Sequence, residues 1–208
     1  MTAFRSVVLD VDSTVSAIEG IDWLAEQRDA TTARAVAALT ADAMEARVSL
    51  DDVYQRRLEI IAPTRAEIAA LSQAYITAAL PGVREAITSW RRAGVHVLLV
   101  SGGLRDAILP LAAWLGIDAS DLHAVDVVYA ADGTVTHVAS SAPLARRGGK
   151  PLVVQSLTLT RPVLAVGDGA TDAELAPCVD LFLAFTGVAR RTSVVAAAGG
   201  EEIGRAHV

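Results

Sequence analysis

Val7-Val8-Leu9-Asp10-Val11-Asp12-Ser13-Thr14 is the stretch that decides the fold. An apolar run that ends in paired carboxylates reads as a strand buried on both faces, with Asp10 and Asp12 at its carboxyl tip. In a regular strand, residues two apart share a face, so these side chains are expected close together. Two adjacent anions are costly without a counter-charge. A hard divalent cation, bound through carboxylates and substrate phosphate oxygens, supplies one. The stretch therefore reads as a phosphate-handling site.

Outward from it, Val95-His96-Val97-Leu98-Leu99-Val100 runs into Ser101-Gly102-Gly103, and Val163-Leu164-Ala165-Val166 into Gly167-Asp168-Gly169-Ala170-Thr171-Asp172. Lys150 ends a Gly-Gly-Lys loop. Ligands of open parallel sheets sit beyond the carboxyl ends of the strands, so all four segments are expected to meet at one crevice. From Thr14 to about Ala78 the chain reads as helices, rich in Ala and with Ile18, Ile21 and Leu24 at helical spacing. Thr64-Arg65-Ala66-Glu67 has the form of a capping box. Pro81-Gly82 marks a boundary, after which helices and strands alternate. Asp132-Gly133 between Val125–Tyr129 and Thr134–Val138 predicts a β-hairpin beside the main sheet. A helix after Lys150, a strand at Leu181–Ala184 and a last helix near Arg190–Ala198 complete the pattern. The expected fold class is α/β, a doubly wound parallel sheet with an inserted helical cap. The expected division is core 1–13 and 79–208, cap 14–78.

Among 208 residues, 52% are hydrophobic and 20% charged, which suits one sizeable core with a small appended unit. The net charge of −6 carries no footprint for nucleic acid and favours a small-molecule partner. The single cysteine, Cys178, excludes an internal disulfide and is expected to be a buried thiol. The start of the chain reads directly into a strand, and no apolar run is long enough for a bilayer, so a cytoplasmic protein without membrane association is expected, as monomer or homodimer. His96, His123, His137 and His207 lack metal-site spacing. Trp23, Trp90 and Trp114 read as core or interface. Gly148-Gly149-Lys150 lacks the remainder of a nucleotide loop.

Asp10-Val11-Asp12-Ser13-Thr14, Ser101-Gly102, Lys150 and Gly167-Asp168-Gly169-Ala170-Thr171-Asp172, in that order, resemble the haloacid dehalogenase superfamily, and within it the phosphoserine phosphatases, nearly end to end. The resemblance implies a Rossmann-like core and a Mg2+-dependent hydrolase of phosphomonoesters, with O-phosphoserine as substrate and a place in amino-acid biosynthesis. It implies that Asp10 is the nucleophile that becomes an aspartyl-phosphate, and that Asp12 is the acid and then the base. Mg2+ is implied to sit on the Asp10 carboxylate, the Asp12 carbonyl and the Asp168 carboxylate. Lys150 is then an electrostatic clamp, while Ser101 and the amides of Gly102 and Gly103 bind phosphate at a helix amino terminus. Asp172 orients Lys150 or metal-bound water. Thr171 touches phosphate or caps a helix, and Ser13 and Thr14 are expected to begin the first cap helix.

In the cap, the resemblance implies that Glu19 meets the substrate ammonium, Met44 its apolar stem and Arg57 its carboxylate, with Arg191 a further substrate-side arginine beside Arg190. One departure stands out. The family commonly has Met-Gly-Gly in the cap loop, and here the text is Met44-Glu45-Ala46-Arg47. A Glu45 carboxylate facing the substrate carboxylate would weaken binding. Phosphothreonine, phosphohomoserine and histidinol phosphate therefore remain alternative substrates. Transfer of the phosphoryl group to an alcohol and a non-catalytic phosphoamino-acid sensor are the other readings.

Overall fold

The computed structural model describes residues 4–44 and 50–202, and side chains within 4–39 and 53–199. The first strand, β1 (Ser6–Leu9), is buried at every residue. A helical block follows: α1 (Gly20–Glu26), α2 (Ala30–Met44), α3 (Leu50–Ile61) and α4 (Arg65–Thr77). Then come α5 (Val83–Arg92), β2 (His96–Leu104), α6 (Arg105–Leu115), β3 (Leu122–Val125), β4 (Val127–Tyr129) and β5 (Val135–Val138). The remainder is α7 (Gly149–Ser156), β6 (Val163–Gly167), α8 (Ala170–Ala173), β7 (Leu181–Phe185), α9 (Thr192–Ala197) and β8 (Gly200–Glu202).

Six strands make one parallel sheet in the order β3-β2-β1-β6-β7-β8. The chain winds outward from β1 to β3, returns to the other side of β1, and winds outward again. That reversal opens a crevice between the carboxyl ends of β1 and β6. The strands alternate between two apolar layers. Val7 and Leu9 join Val97 and Leu99 against α4 and α6, while Val8, Leu98 and Ala165 pack with Val154 of α7 and Val194 of α9. Burial on both faces is why these strands read as continuous apolar runs.

The helical block leaves and re-enters the core on paired stalks. Ala17 N–H donates to the Ala78 carbonyl at 2.9 Å, and Leu80 N–H to the Val15 carbonyl at 3.0 Å. Leu71 and Tyr75 of α4 are fully buried in the same apolar cluster as Val7 and Leu99. The capping box forms as read: the Thr64 hydroxyl accepts from Glu67 N–H, and Glu67 accepts from Thr64 N–H.

Several expectations need correction. Leu122–Val125 is a strand of the main sheet, so the hairpin is the shorter β4–β5 pair, and β8 was not anticipated. Ser13 and Thr14 do not begin a helix, since α1 starts only at Gly20; Ser13 instead adopts φ 53° in a turn. Cys178 is half-buried and accepts from Gln155 Nε2 at 3.2 Å. Glu45, Ala46 and Arg47 lie outside the described residues, and for Met44 only its place at the end of α2 is described. Among the described residues, no helix is long and apolar enough to cross a membrane.

Candidate active site

The sheet ladder extends past β1 to hold Asp10: its N–H donates to the Val166 carbonyl at 3.0 Å. Asp168 follows β6 directly, and Asp172 lies one turn further on in α8. Oxygens of Asp10, Asp168 and Asp172 lie within 4.8 Å of one another, and all three residues are buried. Gly167 makes the cluster possible, because a Cβ there would stand 2.2 Å from Asp172 Cγ.

Lys150 joins the cluster from the opposite side. Its Nζ donates to Asp10 Oδ1 at 2.6 Å and to Asp172 Oδ1 at 2.5 Å. It is a helical residue, at the second position of α7, and not the end of a loop; Gly148, at φ 74°, turns the chain into that helix. Burial pulls the Lys150 ammonium down, but Asp10 and Asp172 outweigh it and hold the group above its ordinary range. Burial and then Asp10 push the Asp172 carboxyl up, against the opposing pull of Lys150. Asp172 also accepts from Gly169 N–H at 2.9 Å, so it fixes both the lysine and its own loop.

Asp168 is steadied by residues from both ends of the chain. Thr14 Oγ1 donates to its Oδ1 at 3.2 Å, and Arg191 pairs with its Oδ2 without hydrogen-bond geometry. Four buried carboxylates, Asp10, Asp12, Asp168 and Asp172, thus gather here, with Lys150 paired to Asp10 and Asp172 and Arg191 paired to Asp168. This excess of negative charge, offered entirely through oxygen, fits a hard divalent cation.

Asp12 departs from the regular-strand expectation. Strand β1 stops at Leu9, and the Asp12 carboxylate turns away from the three-carboxylate cluster. Its Oδ1 accepts from Gly20 N–H at 2.6 Å and from the Tyr75 hydroxyl at 2.8 Å, while Ser101 Oγ donates to Oδ2 at 3.3 Å. Burial first, then the Glu19 and Asp10 charges, push the Asp12 carboxyl up to about 7. Tyr75, buried beside an anion, is held well above its ordinary value and stays a donor. Ser101, Gly102 and Gly103 belong to an extension of β2, and α6 begins only at Arg105. These residues form the tip of a strand that runs straight into α6, whose N-cap is Leu104, and the strand's register shifts between Val100 and Leu104.

The cap contributes the opposite wall of a cavity of about 470 Å³ that includes Asp10, Lys150, Glu19, Arg57 and Arg191. Thr171 lines it as well. Glu19 accepts from Ser13 Oγ at 2.7 Å and lies 3.6 Å from Arg191, which lines the same cavity. Arg57 pairs with Asp22 at 2.5 Å, and its Nε is buried with no hydrogen-bond partner among the described residues. Tyr54 of α3 donates to the Gly102 carbonyl at 2.8 Å, tying cap to core. Tyr54, Tyr75 and Gly20 carry no signal for the site in the sequence, and Thr14, expected to begin a helix, instead reaches Asp168. A tyrosine at helical spacing looks like any other core residue until its hydroxyl is placed.

Residues 7–177 match the family described as haloacid dehalogenase-like hydrolase. The chain is 34% identical over 197 residues to the chloroplastic phosphoserine phosphatase of Arabidopsis thaliana, covering 92% of this chain and 66% of that protein. It is 33% identical over 192 residues to the phosphoserine phosphatase of Mus musculus, covering 91% and 84%. In fold it is similar to the crystal structure of a phosphoserine phosphohydrolase-like protein from Francisella tularensis, with TM-score 0.85, 24% identity and coverage of 96% and 95%. With the buried aspartates in place, the chain is a phosphomonoester hydrolase working through an aspartyl-phosphate, and it belongs to the haloacid dehalogenase-like hydrolases, on their phosphoserine-phosphatase-like side.

Proposed function

We propose that the chain hydrolyses O-phosphoserine to serine and phosphate, a small cytoplasmic metabolite being its partner. The observation that carries this reading is one cavity with two chemistries: the Asp10–Lys150 centre on the core wall, and Glu19 with Arg57 on the cap wall. The anionic Glu19 suits the ammonium of the substrate. Arg57 has an Nε donor without a partner among the described residues, which suits a carboxylate. A phosphomonoester of an amino acid offers all three charged groups at once.

In the first half-reaction an Asp10 carboxylate oxygen attacks phosphorus and the bond from phosphorus to the serine oxygen breaks. Asp12 gives its proton to the departing alkoxide. In the second half, Asp12 takes a proton from water, the water oxygen bonds to phosphorus, and phosphate leaves with Asp10 restored. Lys150 holds Asp10 in place and offsets the charge that develops on the phosphoryl oxygens, which Ser101 and the amides of Gly102 and Gly103 also address. Asp10, Asp168 and the Asp12 carbonyl would hold Mg2+, which supplies charge neutralisation between the anionic nucleophile and the phosphate dianion. Asp172 serves as the positioning residue of Lys150.

Phosphate release with Mg2+ present tests the reading, using phosphoserine, phosphothreonine, phosphohomoserine and histidinol phosphate side by side. The expected result is the highest kcat/KM on phosphoserine, with turnover lost in Asp10→Asn. A clear preference for another member would overturn the substrate, and full turnover by Asp10→Asn would overturn the nucleophile.

A further inference from the structure

We propose that Tyr75 is a positioning residue for Asp12, assigning the two oxygens of that carboxylate different tasks: Oδ1 is held, and Oδ2 exchanges the proton with the leaving group. This rests on the acid and base role given to Asp12 above. The tyrosine hydroxyl and the Gly20 amide both donate to Oδ1, at 2.8 and 2.6 Å. With both donors in place, Oδ1 is committed as an acceptor, and Oδ2 is left beside the Ser101 hydroxyl at the strand tip where phosphate is to bind.

Packing locks the arrangement. Tyr75 has no exposed surface, and its own carbonyl accepts from Ser16 Oγ at 3.0 Å, which pins α4 to the stalk beneath the site. Two glycines leave room for the hydroxyl. A Cβ at Gly20 would fall 2.0 Å from Tyr75 Oη, and one at Gly103 would fall 3.1 Å from Tyr75 Oη and 2.9 Å from Asp12 Oδ2. Any side chain at Gly20 therefore has to push the hydroxyl off the carboxylate. Tyr75 lies 63 residues from Asp12 and is not among the residues that line the cavity, so it acts through the carboxylate.

Leaving-group dependence separates this role from a merely structural one. An alkoxide such as that of serine needs a proton as it departs, whereas p-nitrophenolate departs without one. Tyr75→Phe removes one hydroxyl and keeps the ring. Its kcat/KM is expected to fall about tenfold on phosphoserine, as for loss of a hydrogen bond to a charged group, and less than about twofold on p-nitrophenyl phosphate. Gly20→Ala reaches the same contact without altering the tyrosine and is expected to give the same selective loss, which keeps the proposal testable if either variant folds poorly. Asp12→Asn is expected to show the pattern more strongly, about 10²–10⁴-fold on phosphoserine, and Tyr75→Phe should add nothing on top of it. Equal losses on both substrates for Tyr75→Phe and Gly20→Ala, with Asp12→Asn still selective, would overturn the role of Tyr75 alone. Equal losses for Asp12→Asn itself would overturn the acid role on which it rests.

Discussion

Asp10 and Arg57 line the same cavity, yet different forces hold them. Asp10 sits on backbone register: β1 pairs residue by residue with β2 and β6, and the ladder reaches Asp10 through Val166. Arg57 sits on a helix placed across the crevice by side chains. Tyr54 reaches the Gly102 carbonyl, and Gln55 accepts from Val138 N–H at 2.9 Å. Arg65, the first residue of the next helix, α4, stacks on the Tyr129 ring with its guanidinium 3.7 Å from the ring centre. A ladder of main-chain bonds tolerates little displacement, whereas a few side-chain contacts can be exchanged at modest cost. The proposed reacting groups thus stand on a main-chain ladder, and the groups proposed for recognition on a helix held by side-chain contacts, among them the buried Leu58 and Ile61.

The comparison is broken most severely at Lys150. Lys150→Met strips the buried carboxylates of their shared partner, so kcat/KM is expected to fall by about 10³ or more, and stability by about 3 kcal/mol or more in urea denaturation. Retention of activity would mean that the core wall does not depend on that charge. Next in size is Tyr54→Phe, which cuts one bond between the walls. Unfolding is expected to be easier by about 1 kcal/mol, and protease should cut the helical block faster while leaving the sheet intact. Uniform sensitivity of both regions would show that they open together.

The smallest effect is expected within the cap at Glu67. Burial pulls its carboxyl upward, but Thr64 and Arg28 overcome this and hold it below the ordinary value of 4.5. A depressed carboxylate contributes stability above its unfolded value and loses it as pH falls through the folded one. The advantage of the native chain over Glu67→Gln should therefore be steady near neutrality and close on acidification below 4.5, read from melting temperatures across that range. A difference that does not change with pH would assign the effect to packing alone.

Much of the core could be read directly. The apolar runs at Val7 and Val163, each ending in an acidic residue, placed Asp10 and Asp168 at strand ends, because burial on both faces leaves only apolar residues in a central parallel strand. The capping box at Thr64 and Glu67 was equally legible, since both partners lie within one helical turn. Other features were hidden for a shared reason. Val125 and Val127 belong to different sheets, although nothing between them but Asp126 marks the break.

What the sequence by itself determined, then, is the set of local facts: which runs are strands, where they stop, and which polar residues follow. Period and burial act between near neighbours, so they leave their mark on adjacent letters. The tertiary structure alone decided that Asp172 and Asp10 share Lys150, that Asp12 turns to Tyr75 and Gly20, and that Arg57 stands beside Asp22. Those partners are chosen by how separate elements pack, and a hydroxyl or a guanidinium carries no sign in the sequence of the distant atom it will meet.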